Sequence, residues 1–291
     1  MSGAAGVGER PRGPRPAGAA PPSAPARLGL VPREHGASFM SVHALVLGIV
    51  AGLTAGPRGW TGVAIAVAVE AAFLPFTAAV SVMTHPRLAQ AARRRAIGLG
   101  AALALLGALA LLQGPRRELL ALGAVGAAVG ALYALARARA GARSVAAQLA
   151  AIAGISLLAS FAWLVVAGPT PRWPLGAVWC FLAFGGAVPY VRERVRRRRL
   201  GIQRLDERLR GGALALAWQV AALGIAWGLA WAGRVTPLAA VAFVPGALKT
   251  LLGIAFPERR PELRRIGYLE TAISTLFAVL AGMGLGFPGF V

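Results

Sequence analysis

The stretch RRRAIGLGAALALLGALALLQ, residues 93–113, consists of three arginines followed by 18 residues without a charged side chain. A helix needs about 20 mainly apolar residues to cross a hydrocarbon core about 30 Å thick. The chain repeats this arrangement, an arginine-bearing loop followed by an apolar run, along most of its length. The repetition predicts an all-α, polytopic bundle of transmembrane helices.

Nine apolar runs fit a membrane span. Those at 119–136 and 145–167 are rich in alanine, which favours insertion less than leucine does. The nine spans are predicted at 37–55, 60–83, 96–113, 119–136, 145–167, 174–191, 212–232, 235–256 and 266–286. Residues 31–291 are therefore predicted to form one transmembrane domain. Residues 1–30, rich in Pro, Gly, Ala and Arg, are predicted to be a disordered cytoplasmic tail.

The arginines are divided unevenly between the two sides of the predicted membrane. With the N-terminus in the cytoplasm, 25 arginines lie in cytoplasmic segments and 5 in outer ones, and nine spans place the C-terminus outside. This predicts a multi-pass protein of the inner (plasma) membrane, its basic loops facing an anionic cytoplasmic leaflet. The net charge of +21 therefore does not indicate nucleic acid, because the arginines are not interleaved with stacking aromatics.

An ionisable group inside a span costs at least about 2.5 kcal/mol, so each such group is a candidate site residue. The first group follows Pro32 and contains Arg33, Glu34, His35 and His43. In a helix starting near Glu34, His35 and His43 share one face. We predict catalytic acid–base roles for Glu34, His35 and His43. Capping of the helix start by Glu34 is the structural alternative.

Glu70 lies near the middle of the second span, and His85 follows that span on the same helical stripe. We predict a catalytic role for Glu70 and a substrate-binding role for His85. Lys249 lies in the eighth span, where it either snorkels to the interface or pairs with Glu70 or a bound anion. Glu270 lies about one turn into the last span, as a substrate ligand or an ion-pair partner of a loop arginine.

Three motifs carry a resemblance to a known family. They are Pro32-Arg33-Glu34-His35-Gly36-Ala37, Tyr190-Val191-Arg192-Glu193-Arg194-Val195-Arg196 and Arg264-Arg265-Ile266-Gly267-Tyr268-Leu269-Glu270. Together they resemble the YwiC-like family of bacterial membrane proteins over about residues 30–288. The resemblance implies a multi-span membrane protein without an assigned activity. Tyr190, Arg192 and Arg265 join Arg33, His85, Lys249 and Glu270 as predicted substrate-binding residues.

The predicted architecture also resembles the UbiA family of intramembrane prenyltransferases, which implies a polar cavity open to the cytoplasm. That family holds magnesium diphosphate on two aspartate-rich loops. Here one corresponding loop has no aspartate, and the other has Asp206 and Glu207 among arginines. We therefore predict neither a metal nor another cofactor. We expect arginines to hold a phosphate or carboxylate head group directly.

Three functions remain open from the sequence. The first is an intramembrane enzyme or binder of an anionic amphiphile, such as an isoprenoid or a lipid, with Arg192, Arg265 and Lys249 on the head group. The second is a secondary transporter in which Glu70 and Lys249 form a proton-linked pair. The third is a non-catalytic scaffold or assembly factor. The sequence decides neither whether the protein is an enzyme nor its oligomeric state.

Overall fold

The computed structural model describes residues 35–56, 59–83, 89–256 and 263–287, and in these ranges the regular structure is entirely helical. The helices are α1 (His35–Ala55), α2 (Trp60–Val82), α3 (Ala89–Gln113), α4 (Arg116–Ala140), α5 (Val145–Ala167), α6 (Trp173–Gly185), α7 (Ala187–Leu200), α8 (Leu205–Trp231), α9 (Pro237–Val241), α10 (Val244–Ala255) and α11 (Leu263–Gly286).

In the described ranges these helices form nine rods, because α6 and α7 are separated by one residue and α9 and α10 by two. Eight rods are long and apolar enough to cross a membrane. The remaining rod, α1, has 21 residues and contains the apolar stretch Phe39–Ala55. The predicted all-α polytopic bundle is confirmed, with eight candidate spans among the described residues, and a ninth span at α1 stays a prediction.

Several helices extend beyond the predicted apolar runs into arginine-bearing segments. α3 begins at Ala89 instead of residue 96, and α7 continues to Leu200 instead of ending at residue 191. Arginine has a high helix propensity, so the helix continues past the point at which the apolar pattern stops. Hydropathy marks the membrane boundary and not the helix end.

α5 lies at the centre of the bundle and packs against α1, α2, α4 and α6. Trp163 of α5 has no exposed surface. Gly48 of α1 and Gly62 of α2 allow these helices to approach α5 closely. A Cβ atom at Gly48 would overlap the carbonyl oxygen of Ala159, and one at Gly62 would overlap that of Val165. Small residues at such contacts are the usual means of helix association in membranes.

One end of the bundle, which we call the arginine-rich end, gathers the loop before α5, the end of α7 and the end of α10. The Arg192 guanidinium donates to the Arg143 carbonyl oxygen over 2.9 Å. Arg197 donates to the carbonyl oxygen of Gly253 over 3.0 Å and to that of Ile254 over 3.4 Å. Both half-helices α7 and α10 therefore run from the interior of the bundle to this end.

The two breaks differ from the single continuous spans predicted at 174–191 and 235–256. The first lies at Gly186, and the second lies at Ala242 and Phe243. At the second, the Trp179 indole donates to the Ala239 carbonyl oxygen over 3.1 Å, and so supplies a donor to this backbone acceptor near the break. Broken helices in membranes are tolerated where the protein supplies such donors or where a cavity borders the break.

Candidate functional site

A cavity of about 790 Å³ lies between α1, α6, α7, α8, α10 and α11, and both helix breaks border it. Gly186 and Ala187 line it at the start of α7, and Phe243 and Gly246 line it at the start of α10. The first N–H groups of a helix have no intrahelical acceptor and carry a partial positive charge. Two half-helices thus begin at the wall of one cavity.

Proline sets the start of each half-helix. Pro189 lies in the first turn of α7, and Pro245 in that of α10. Proline fits the first helical turn because the N–H that it lacks would have no intrahelical acceptor there. The same two prolines remove the N–H that a continuous helix would need, and so favour a break over a continuous span.

The charged part of the cavity wall lies on α7, α10 and α11. The Lys249 Nζ atom lies 2.6 Å from the Glu270 Oε2 atom, and the two side chains are 21% and 35% exposed. The Lys249 Nζ atom and the Arg194 guanidinium carbon each lie 5.6 Å from the centroid of the Tyr190 ring. Arg194 also donates to the Tyr190 hydroxyl oxygen over 3.5 Å. Two cations therefore share one aromatic ring, and one of them, Lys249, also binds a carboxylate.

Neutral polar side chains continue this wall toward the second break. The Gln219 amide of α8 donates to the Thr250 hydroxyl oxygen over 3.4 Å, and that hydroxyl donates to the Gly246 carbonyl oxygen over 2.9 Å. Gln219 is 8% exposed and Thr250 is 2% exposed. Thr271 and Ser274 of α11 also line the cavity. Gln219, Thr271 and Ser274 thus add neutral polar groups to the cavity wall.

The opposite wall is apolar. Phe243 and Phe277 make an edge contact with ring centroids 5.2 Å apart, and the Phe184 ring lies 6.0 Å from that of Phe277. The residues that form this wall are Phe39, Met40, Phe184, Phe243, Ile273 and Phe277. The cavity is therefore amphipathic, with a basic polar side near the arginine-rich end and an aromatic side across from it.

The structure describes the side chains of six predicted site residues. Tyr190, Lys249 and Glu270 line the cavity. The His43 ring is not part of the cavity lining and lies between α1 and α11, with Nδ1 2.6 Å from the Phe39 carbonyl oxygen and Nε2 3.0 Å from the Thr275 hydroxyl oxygen. The His43 and Phe39 rings are also in contact, with centroids 4.1 Å apart and planes tilted by 44°, so the two residues share one face of α1.

Glu70 and Arg192 lie elsewhere. The Glu70 Oε1 atom accepts a hydrogen bond from the Ser41 hydroxyl over 2.6 Å, at a contact between α1 and α2. Arg192 lines a separate groove beside α5 and α8. Five predicted site residues fall outside what the structure describes. Arg33, Glu34 and His85 lie outside the described residues, and His35 and Arg265 lie in α1 and α11 with side chains that are not described.

The predicted pairing of Lys249 with Glu70 is wrong, because the Lys249 ammonium binds Glu270. α10 packs against α8 and α11, whereas α2 packs against α1, α3 and α5, so the two helices belong to different parts of the bundle. Glu270 pairs with this lysine, and among the residues whose side chains the structure describes no loop arginine forms an ion pair with it.

Sequence reasoning missed three residues that the cavity contains, namely Arg194, Gln219 and Thr250. Arg194 lies one turn after Tyr190 and so shares its helix face, a spacing that could have identified it. Gln219 is a polar residue in an otherwise apolar span, which is a signal that could have found it.

Residues 31–163 match the family model described as YwiC-like protein. The resemblance to the YwiC-like family is therefore confirmed over that range, which runs from the start of the bundle into α5. Among the cavity-lining residues, Phe39 and Met40 lie within the match, and the others lie beyond it. No curated protein and no solved structure matches the chain at a significant level, so the UbiA-like architecture stays a prediction.

Proposed function

We propose that this YwiC-like membrane protein binds an anionic amphiphile in the cavity between its two broken helices. The head group lies at Lys249, and the apolar chain lies along the wall of phenylalanines. In the orientation that the arginines predict, the cavity occupies the cytoplasmic half of the membrane, because α7 and α10 run from the breaks to the arginine-rich end.

The observation that carries the proposal is the balance of charge at the polar wall. Lys249 and Arg194 supply two positive charges, and Glu270 supplies one negative charge. The starts of α7 and α10 also line the cavity, and the ends of α6 and α9 at the same breaks carry the opposite partial charge, so the excess comes from the side chains. A phosphate or carboxylate that approaches Lys249 therefore meets an excess of positive charge at the polar wall.

The aromatic wall indicates the chemistry of the ligand's other end, the part away from the head group. This wall offers a polar chain no hydrogen-bonding side chain at the rings of Phe184, Phe243 and Phe277. Apolar surface buried against such a wall stabilises a complex by about 25 cal/mol per Å². A ligand with one anionic end and a hydrocarbon or isoprenoid body satisfies both walls. The catalytic roles of Glu34, His35, His43 and Glu70 stay predictions, since binding requires none of them.

Binding can be tested with farnesyl phosphate and the uncharged alcohol farnesol, using purified protein in detergent and native mass spectrometry. We expect farnesyl phosphate to bind at least tenfold more tightly. Lys249→Met removes the ammonium group but keeps the chain length, and should weaken phosphate binding about 10- to 100-fold, as a charge-assisted hydrogen bond is worth about 1.5–3 kcal/mol.

Glu270→Gln should act in the opposite direction, because it removes the carboxylate that competes with the ligand for Lys249. We expect equal or tighter binding of farnesyl phosphate. Arg117→Ala is the matched control, since Arg117 is exposed at the start of α4. Equal binding of farnesyl phosphate and farnesol would contradict the proposal. A loss of affinity in both Lys249→Met and Glu270→Gln would contradict it as well.

A carrier for the same class of ligand is a second candidate, and the two breaks favour it. Discontinuous helices that begin beside a buried cavity are typical of secondary transporters. Proteoliposomes loaded with farnesyl phosphate distinguish the two functions. Flux that Lys249→Met abolishes would favour a carrier, and binding without flux would favour a receptor or enzyme.

A further inference from the structure

Glu70 is a buried acid away from the cavity. It lies near the middle of α2, within the candidate span Trp60–Val80, and is 5% exposed. Its Oε1 atom accepts the 2.6 Å hydrogen bond from Ser41. Its Oε2 atom is also buried and has no hydrogen-bond partner among the residues that the structure describes. A carboxyl oxygen without a partner in a hydrocarbon layer is unfavourable unless the group is neutral or neutralised.

The helices around Glu70 offer little to neutralise it. α2 packs against α1, α3 and α5. α5 has no ionisable side chain between Val145 and Ala167. The basic residues of α3 lie near its N-terminal end, in its second turn, and are Arg93, Arg94 and Arg95. His43 of α1 uses both ring nitrogens on Phe39 and Thr275. In the described structure no basic side chain forms an ion pair with Glu70.

We propose that Glu70 is a proton-binding site inside the membrane, with Ser41 as its fixed hydrogen-bond donor. In the neutral acid the proton lies on Oε2, and Oε1 is the carbonyl oxygen that accepts from Ser41. A metal cation is the less favoured occupant. Hard cations take six or more oxygen ligands, whereas two carboxyl oxygens and one hydroxyl are what the described residues place here.

α1 connects this acid to the cavity. Ser41 binds Glu70 on one side of α1, and the preceding residues, Phe39 and Met40, line the cavity on another. Loss of the proton strengthens the Ser41 bond, because a hydroxyl binds a carboxylate more strongly than a neutral acid. Protonation of Glu70 therefore biases the position of the helix that forms part of the ligand wall. This second step rests on the proposed function.

Dicyclohexylcarbodiimide tests the first step without any ligand. It reacts with a protonated carboxyl group in apolar surroundings. The acid proton moves to a carbodiimide nitrogen, the carboxyl oxygen adds to the central carbon, and an acyl shift to nitrogen gives a stable N-acylurea. We expect peptide mass spectrometry to find the adduct on Glu70, and its yield to fall several-fold as the pH is raised and the acid ionises.

Three comparisons make this labelling decisive. Glu70→Gln should remove the adduct. Ser41→Ala should keep it and extend labelling to higher pH, because the ionised form loses its donor. A water-soluble carbodiimide with an amine nucleophile should label the exposed Glu207 and spare Glu70. Absence of the Glu70 adduct at every pH in monodisperse protein would overturn the proposal, and so would a yield that does not change with pH.

The second step is tested by the affinity for farnesyl phosphate across the same pH range in wild type and Glu70→Gln. The phosphate probe titrates equally with both proteins, so their difference reports on Glu70. We expect the variant to keep at high pH the affinity that wild type shows at low pH. Identical curves would overturn the link through α1. If farnesyl phosphate binds to neither protein, the proposed function fails, and the labelling still decides whether Glu70 binds a proton.

Discussion

The indole N–H of Trp218 on α8 donates to the carbonyl oxygen of Leu182 on α6 over 2.7 Å. In a continuous helix that carbonyl would accept from the backbone N–H of residue 186, but α6 ends at Gly185. A side chain from a neighbouring helix thus satisfies a backbone group that the break exposes. Such groups have no water to bind within a bilayer, so Trp218 stabilises the broken form of the helix.

Trp218→Phe should therefore destabilise the protein by about 1–3 kcal/mol, the cost of leaving a buried acceptor without its donor. The phenyl ring retains most of the packing against Phe181, whose ring lies 5.6 Å from that of Trp218. The free energy of unfolding in mixed micelles measures the effect. Trp231→Phe is the control, since Trp231 is 94% exposed and its loss should cost below about 0.5 kcal/mol.

Gly185 and Gly186 allow the Trp218 ring to approach the break. A Cβ atom at residue 185 would overlap the indole ring, and one at residue 186 would lie 2.8 Å from its Cδ1 atom. Gly185→Ala should cost about 1–3 kcal/mol of unfolding free energy through this overlap. Gly228→Ala, in open space on the same helix as Trp218, should be neutral or stabilising. Equal stability of the two variants would show that the ring does not occupy this position.

The sequence predicted the spans well and the breaks not at all, for a physical reason. Membrane insertion depends on the apolar content of each segment, which hydropathy measures directly. The break after Gly185 depends on a donor from Trp218, a residue 36 positions away in the next rod. Residues 174–191 therefore read as one continuous span, because neither Gly186 nor Pro189 reveals which side chain lies opposite.

The candidate site was predicted in part for a similar reason. The cost of burying a charge predicted that Lys249 needs a partner, but it did not select Glu270 over Glu70. Both acids lie in spans, and the choice depends on which helix packs against α10. Which polar residues line the cavity depends on the order of helices around it, and the sequence alone does not give that order.

Arg197 connects α7 to α10, and this contact gives a third prediction. The Arg197 guanidinium binds two carbonyl oxygens at the end of α10, and its side chain is 10% exposed. Arg197→Ala should speed amide hydrogen exchange at residues 254–256 about tenfold, the equivalent of about 1.4 kcal/mol of local stability. Arg197→Lys should give a partial effect, because one ammonium group replaces a planar guanidinium less well at two acceptors. Arg199→Ala, at an exposed position, should leave this exchange unchanged.

The orientation of the bundle is a fourth prediction. Gln203→Cys, between α7 and α8, should react with a membrane-impermeant maleimide after permeabilisation of cells and not before. Ala232→Cys, after α8, should react in intact cells. The native Cys180 has no exposed surface and so gives little background. The reverse pattern of labelling would place the arginine-rich end outside and contradict the orientation predicted from the arginine distribution.

His43 and Thr275 tie α1 to α11, and their bond gives the last prediction. Because Nδ1 lies against the Phe39 carbonyl oxygen, Nδ1 carries the hydrogen, and Nε2 accepts from the Thr275 hydroxyl. Thr275→Val should cost about 1 kcal/mol of unfolding free energy in wild type and much less in His43→Phe, a coupling of about 0.5–1 kcal/mol.

Thr77→Val is the matched control, because the Thr77 hydroxyl donates within its own helix, to the Leu74 carbonyl oxygen over 2.8 Å. Its effect should be the same with His43 or Phe at position 43. Thr275→Ser keeps the donor and should retain most of the coupling. Equal costs for Thr275→Val in both backgrounds would mean that the threonine acts through packing, and that His43 keeps a ring nitrogen available for the acid–base role predicted from the sequence.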